Sequence, residues 1–292
     1  MKAEVLDRKK FLGGSDMAGI MGLSRWKTPL SIWAEKTGRI QTDLSNFEAA
    51  EIGAELEEYV SRKFEKKTGI KLRRDSRDFK HPEFEYMVGH IDRLVLDGES
   101  IFEAKTCSAW KEKEWSGEEI PQEYVLQVMW YMGLAKRQRG YIAVLIGGQK
   151  FVWKEISFDQ MLFDKMVEAA KSFWEEFIVP DVMPMACAQD DELLGDMYPQ
   201  ESEGKTLRLD GENAERVNQW FEERAGAIEV IKEAEKTDTE CKAKLKQLLG
   251  DCEILETDQY RATWKTINKK EFTVQASSYR CLKVKQLKGE SK

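Results

Sequence analysis

The chain has 292 residues, 41% hydrophobic and 34% charged, with a formal net charge of −7. That is enough for one large domain, or a medium domain with an appendage, around a sizeable core, and it excludes disorder throughout. No apolar run approaches the ~18–20 residues of a membrane span, and the net acidity lends no support to nucleic-acid binding, for which any case must come from motifs.

The opening MKAEVLDRKKF has no apolar core like that of a secretory signal, so the chain reads as cytoplasmic. PLSIWAEKTG predicts a short helix stopped by Gly38. FEAAEIGAELEEYVSRKFEKKTG predicts a long amphipathic helix, with Ile52, Leu56, Val60 and Phe64 at four-residue spacing and Gly69 at its end. Three strand candidates follow, IKLRRDSRDF, EYMVGHIDRLVL and SIFEAKT, each bounded by turn residues. PQEYVLQVMWYMGLAKRQ, with Pro121 in its first turn, predicts a helix. GYIAVLIGG and KFVWKEI predict a hairpin, and FDQMLFDKMVEAAKSFWEEFI a helix ended by Pro180 and Pro184.

Residues from about 187 to 206 are acidic and read as a loop marking a boundary. After it come one long helix, or a helical hairpin broken near Thr237 and Asp238, and a small hairpin turning near Thr257 and Asp258. The expected organisation is a domain over 1–190 and a helical extension with a small hairpin over 205–292. The order of elements predicts α/β architecture: a mixed sheet flanked by helices. Five scattered cysteines without CxxC pairs indicate neither a disulfide frame nor a zinc or iron–sulfur site. Two histidines, His81 and His90, argue against His-rich metal chemistry or a Ser–His device.

The stretch GHIDRLVLDGESIFEAKT places charges where strands bury side chains. A tight turn near Asp97, Gly98 and Glu99 sets Asp92 opposite Glu103, and such partners have Cβ atoms ~4.5–5.5 Å apart. Two carboxylates that close repel unless a cation joins them. Mg²⁺ takes oxygen ligands, usually one or two carboxylates with phosphate and water. Lys105, two residues from Glu103, shares its strand face and aims an ammonium at the same point. There it would position an attacking water and stabilise developing charge. Ala104 points away, but its carbonyl is a further candidate ligand. A cross-strand salt-bridge ladder on a solvated face gives the same local pattern.

Three other features bear on the choice. Glu57 flanks the stripe of the long helix, nearer its centre than Glu51, Glu55 or Glu58, and either overlooks the site or is a solvated acid. Gln127 and Tyr131 share a helix face and either bind phosphate, bases or a water, or are a solvated amide and a half-buried ring. Gly13-Gly14-Ser15-Asp16 reads as a loop entering a helix. Ser15 or Asp16 is either its N-cap or, with Arg8, Lys9 and Lys10 upstream, part of a phosphate contact.

Taken in order, Arg8, GGSD with Ser15, EKTG at 35–38, Gly53 with Glu57, Asp92, Glu103 with Lys105, and Gln127 with Tyr131 resemble one family over about residues 8–155. It is the YqaJ-type viral recombinase family, the lambda-exonuclease-like branch of the PD-(D/E)xK nucleases. The resemblance implies a restriction-endonuclease-like core and Mg²⁺-dependent phosphodiester hydrolysis, with Mn²⁺ as a substitute and two ions in the site. It implies resection of duplex ends 5′ to 3′, leaving a 3′ strand for a single-strand annealing recombinase. It further implies a phage or prophage origin and a homotrimeric ring. By position, Glu57, Asp92, Glu103 and the Ala104 carbonyl would hold metal, and Lys105 would orient water. Gln127 would order the site, and Arg8 and Ser15, with Tyr131 nearby, would receive the 5′ phosphate and DNA.

The chain departs from the family at His90-Ile91, where Ser-Pro is frequent, and at Arg93, where Gly is. That brings it toward the G-x-x-D form of helicase-associated nucleases in the same superfamily. A repair-type endonuclease and an inactive DNA-binding scaffold are the competing expectations.

Overall fold

The computed structural model describes residues 8–40, 48–269 and 280–284. The chain divides into two compact units, residues 1–197 and 198–292.

In the first unit a 3₁₀ turn, Arg8–Lys10, leads into α1 (Gly14–Ile20) and α2 (Pro29–Lys36). Thr28 caps α2, its hydroxyl accepting the Ser31 amide at 2.9 Å, and Gly38 at φ +75° ends the segment. α3 (Glu48–Thr68) is closed by Gly69 at φ +77°. Val60 and Phe64 of its stripe are fully buried, whereas Ile52 at the other end is exposed.

The second strand candidate does not form one strand. β1 (Leu72–Arg74) and β2 (Phe79–Lys80) are followed by β3 (Val88–Gly89) and β4 (Arg93–Val95), with His90–Asp92 outside any ladder. β5 (Ser100–Cys107) follows the turn at Gly98, whose φ is +80°. Asp97 accepts the Glu99 and Ser100 amides, both at 2.9 Å. α4 (Glu112–Trp115) and α5 (Gln122–Ala135) cross over to β6 (Arg139–Ile146), which turns through Gly147 and Gly148 into β7 (Lys150–Ser157). α6 (Gln160–Phe173) runs on into a π turn at Trp174–Ile178.

The main sheet has the order β1-β4-β5-β6-β7 and is mixed, because β5 and β6 pair parallel and the other neighbours antiparallel. A parallel pair needs a crossover, and α5 supplies it. Alternation along β5 and β6 divides the core. Ile101, Ile142, Val144 and Ile146 pack with α1, α2, α5 and α6, while Phe102, Tyr141, Ala143 and Leu145 pack against Val60 and Phe64 of α3. The mixed sheet flanked by helices is therefore as expected.

The acidic stretch at about 187–206, expected to be a loop, is one only over residues 198–206; its first half is helical. It forms a 3₁₀ turn at Ala188–Asp190 and α7 (Asp191–Met197). Asp190 is buried; it accepts the Cys187 amide at 2.8 Å and the Thr28 hydroxyl, so one carboxylate caps this turn and ties it to the start of α2.

In the second unit α8 (Gly211–Leu249) is one continuous helix, and β8 (Ile254–Glu256) pairs with β9 (Arg261–Thr263). Thr237 does not break α8: its hydroxyl donates to the Glu233 carbonyl at 3.0 Å. Among the described residues of this unit only Leu249 is buried.

Candidate active site

β4 and β5 pair in the register Arg93↔Phe102 and Leu94↔Ile101, which continued by one residue sets Asp92 opposite Glu103. The ladder stops there. The Ala104 amide instead donates to the Asp92 carboxylate at 2.8 Å, so the side chain takes the place of a strand partner. Glu103 and Lys105 lie on the Ile101 face, toward α5, and Phe102 and Ala104 on the α3 face.

Glu103 is 3% exposed, and its Oε1 accepts from Lys105 Nζ at 2.7 Å and from Gln127 Nε2 at 2.9 Å. Its Oε2 is buried without a hydrogen-bond partner among the described residues. Burial, with Glu103 and Glu57 nearby, pushes the Asp92 carboxyl well above its ordinary range against the pull of Lys105. Burial likewise raises Glu103, with Lys105 again opposing and Glu57 adding to the rise. Burial works against the charge of Lys105 too, but Glu103 and Asp92 outweigh it and raise the ammonium's pKa. One buried and one half-buried carboxylate, one ammonium and one unmatched oxygen make a site short of positive charge. A divalent cation fits that deficit.

Gln127 and Tyr131 come from α5. The Gln127 amide also donates to the Tyr131 hydroxyl at 3.0 Å, and both residues are buried, not solvated. α1 packs tightly against them: a Cβ at Gly14 would lie 2.7 Å from the Tyr131 ring, which is why a glycine stands there. Tyr131 therefore sits under α1 and supports Gln127, rather than presenting a hydroxyl to a ligand. Burial first, and Glu103 next, raise its pKa well above the tyrosine range.

Ser15 is exposed on α1, and Arg8 donates to its hydroxyl at 3.3 Å. The N-cap is Gly13, not Ser15 or Asp16. Asp16 accepts the Gly13 amide at 3.1 Å and is fully buried between Lys27 at 2.5 Å and Lys36 at 2.9 Å. Burial opposes its charge, yet the two lysines prevail and hold Asp16 far below the carboxylate range.

Glu57 is on the α3 side of the sheet and is ion-paired with Arg93. Arg93 also donates to Glu58 at 2.9 Å and to the Asp92 carbonyl at 2.6 Å. Among the described residues no group of three His, Cys, Asp or Glu is gathered in metal-binding geometry. Asp92 and Glu103 are the two candidate ligands in place, and Glu57 is turned to the guanidinium. Arg93 and Glu58 are what sequence reasoning missed; the one signal was Arg93 standing where the family pattern has Gly. His90 does not join the site: its ring packs on Phe11 at 5.2 Å and its Nε2 lies 3.1 Å from Asp78.

Residues 5–138 match the YqaJ-like viral recombinase domain. The chain is 35% identical over 267 residues to the uncharacterized protein YqaJ of Bacillus subtilis (strain 168), covering 90% of this chain and 82% of that protein. In fold it is similar to the alkaline exonuclease LHK-Exo of Laribacter hongkongensis, with a TM-score of 0.51 and 17% identity over 59% of this chain and 90% of that one. LHK-Exo in complex with dAMP matches with a TM-score of 0.50 and 20% identity, over the same shares of the two chains.

Proposed function

The chain belongs to the YqaJ-like viral recombinase family, and from that premise we propose that it is a metal-dependent deoxyribonuclease that resects duplex DNA ends 5′ to 3′. The observation that carries this reading is the half-buried Asp92 facing the buried Glu103, with one Glu103 oxygen unmatched and Lys105 beside it. Mg²⁺ is the cation proposed, with Mn²⁺ able to replace it. Asp92, Glu103, the Ala104 carbonyl and Glu57 would hold two such ions between them. A cation held there would polarise the phosphoryl oxygens and neutralise charge that develops on them.

The chain's own groups do the rest. Lys105, kept protonated by two carboxylates, orients the attacking water and faces the developing negative charge. Gln127 fixes the Glu103 rotamer through one amide hydrogen bond, and Tyr131 fixes Gln127 through the other. Arg8 and Ser15, joined and exposed on the same side of α1, receive the 5′ phosphate of the end. The 3′ strand left behind is the substrate of an annealing recombinase. The nuclease domain spans 1–190, works as a homotrimeric ring in the cytoplasm of a phage- or prophage-carrying bacterium, and carries 205–292 as a docking extension.

The test is degradation of end-labelled linear duplex with Mg²⁺, with and without a 5′ phosphate, beside closed circular DNA. Wild type should shorten the strand from its phosphorylated 5′ end, leave the circle intact and lose activity on Lys105→Ala. Nicking of the circle would point to an endonuclease instead. An intact linear substrate, or an equally active Lys105→Ala, would sink the catalytic assignment.

A further inference from the structure

Arg93 stands directly after Asp92, yet strand alternation turns its side chain to the other face of the sheet, toward α3. The side chain is only 6% exposed. Its guanidinium has three acceptors: the Glu57 carboxylate, Glu58 at 2.9 Å and the Asp92 carbonyl at 2.6 Å. A guanidinium can hold two carboxylates at once because its donors are fixed in a planar fork. The acids around the site are therefore not equivalent. Asp92 and Glu103 are left short of positive charge, whereas Glu57 is held directly by the buried Arg93 guanidinium, which it shares only with the exposed Glu58.

We propose that Arg93 is a positioning residue that competes with a divalent cation for Glu57, so that the DNA-free protein binds one cation tightly, on Asp92 and Glu103, and a second only as Arg93 releases Glu57. This rests on the metal-dependent reading of the site. One nitrogen of Arg93 contacts both the Glu57 carboxylate and the Asp92 carbonyl, so a cation reaching Glu57 would sit beside the first. Release leaves Arg93 with Glu58 and the Asp92 carbonyl, and its charge stays paired throughout. A scissile phosphate arriving between the two positions would add the negative charge that makes a second cation favourable, which ties occupancy to substrate.

The experiment is a Mn²⁺ titration without DNA, followed by calorimetry and by electron paramagnetic resonance of free Mn²⁺. Wild type, Arg93→Met and Arg93→Lys are each compared with and without Glu57→Gln. Wild type should take up one ion tightly. Arg93→Met should tighten the second ion by about 10–100-fold, the scale on which groups holding a ligand alter metal affinity. Arg93→Lys, which keeps the charge but lacks the fork, should give a smaller gain and serves if Arg93→Met does not fold. Both gains should vanish with Glu57→Gln, because the competition is for that carboxylate. Two equal ions in wild type, unchanged isotherms in both Arg93 variants, or a gain that survives Glu57→Gln would overturn the proposal. Absence of Mn²⁺ uptake by wild type would remove both this inference and the metal site; tight one-ion uptake without DNA cleavage would remove the catalytic reading alone.

Discussion

Two buried charge clusters lie in the first unit, and they are built on opposite balances. Around Asp16 two carboxylates, Asp16 and Glu35, meet three cations, Lys27, Lys36 and Arg8, and the acid form of Asp16 is suppressed. Around Asp92 this half-buried carboxylate and the buried Glu103 meet one lysine, and their acid forms are favoured. Burial works against the charged carboxylate in both places; at Asp16 the lysines overcome it, and at Glu103 the single Lys105 does not. The first cluster is complete within the chain and holds the Arg8–Lys10 turn, α1 and α2 together: Lys36 also donates to the Arg8 carbonyl at 3.0 Å. The second is complete only with something added.

The largest effect that should separate them is on DNA cleavage. Asp92→Asn, Glu103→Gln and Lys105→Ala should each lower the rate by about 10²–10³-fold or more, in line with loss of a group that meets charge in a transition state. Asp16→Asn should leave the rate of the folded protein within a few-fold, as measured on the same linear duplex. Equal losses at both clusters would erase the distinction.

Stability should show the reverse. Asp16→Asn breaks a buried ion pair and should cost about 3 kcal/mol, read from urea midpoints. The pH dependence follows in sign. The folded pKa of Asp16 lies below its unfolded value of about 3.9. Its contribution is present above that value and is lost as pH falls through it toward the folded pKa. The gap between wild type and Asp16→Asn should be full at neutral pH and close below about pH 4.

Smaller effects sharpen the picture. Ser15→Ala should reduce the preference for a 5′-phosphorylated end by about tenfold, the worth of one hydrogen bond to a charged group, measured as the rate ratio between phosphorylated and unphosphorylated ends. Asp92→Asn, which removes a charge from the acid-rich cluster, should raise the metal-free stability by about 1 kcal/mol while abolishing its gain on adding Mn²⁺. If metal-free Asp92→Asn melts lower than wild type, the cluster is not short of positive charge.

Much of this was legible because it is local. The turn at Asp97–Gly98 set the register that faces Asp92 with Glu103, and a two-residue period put Lys105 on the face of Glu103. The helices ended at Gly38 and Gly69 are local as well. What was not legible depends on distant partners. Nothing near Asp16 in the sequence marks Lys36 as its buried counter-charge, and α7 forms where an acidic run suggested a loop because Asp190 finds Thr28, 162 positions away. Gln127 read equally as solvated or as part of the site until α1, with Gly14 against Tyr131, closed over it. Arg93 registered only as a departure from a pattern; that it crosses to α3 follows from where the β4–β5 ladder ends.

The Ala104 amide, bonded to the Asp92 carboxylate and not to a neighbouring strand, makes the backbone itself a gauge of the site. Its proton resonance depends on the charge that carboxylate carries, so one peak in a nitrogen-edited spectrum should move when the carboxylate turns to a new partner. The strand that carries Glu103 and Lys105 thus supplies, between them, a built-in spectroscopic label in the unmodified protein.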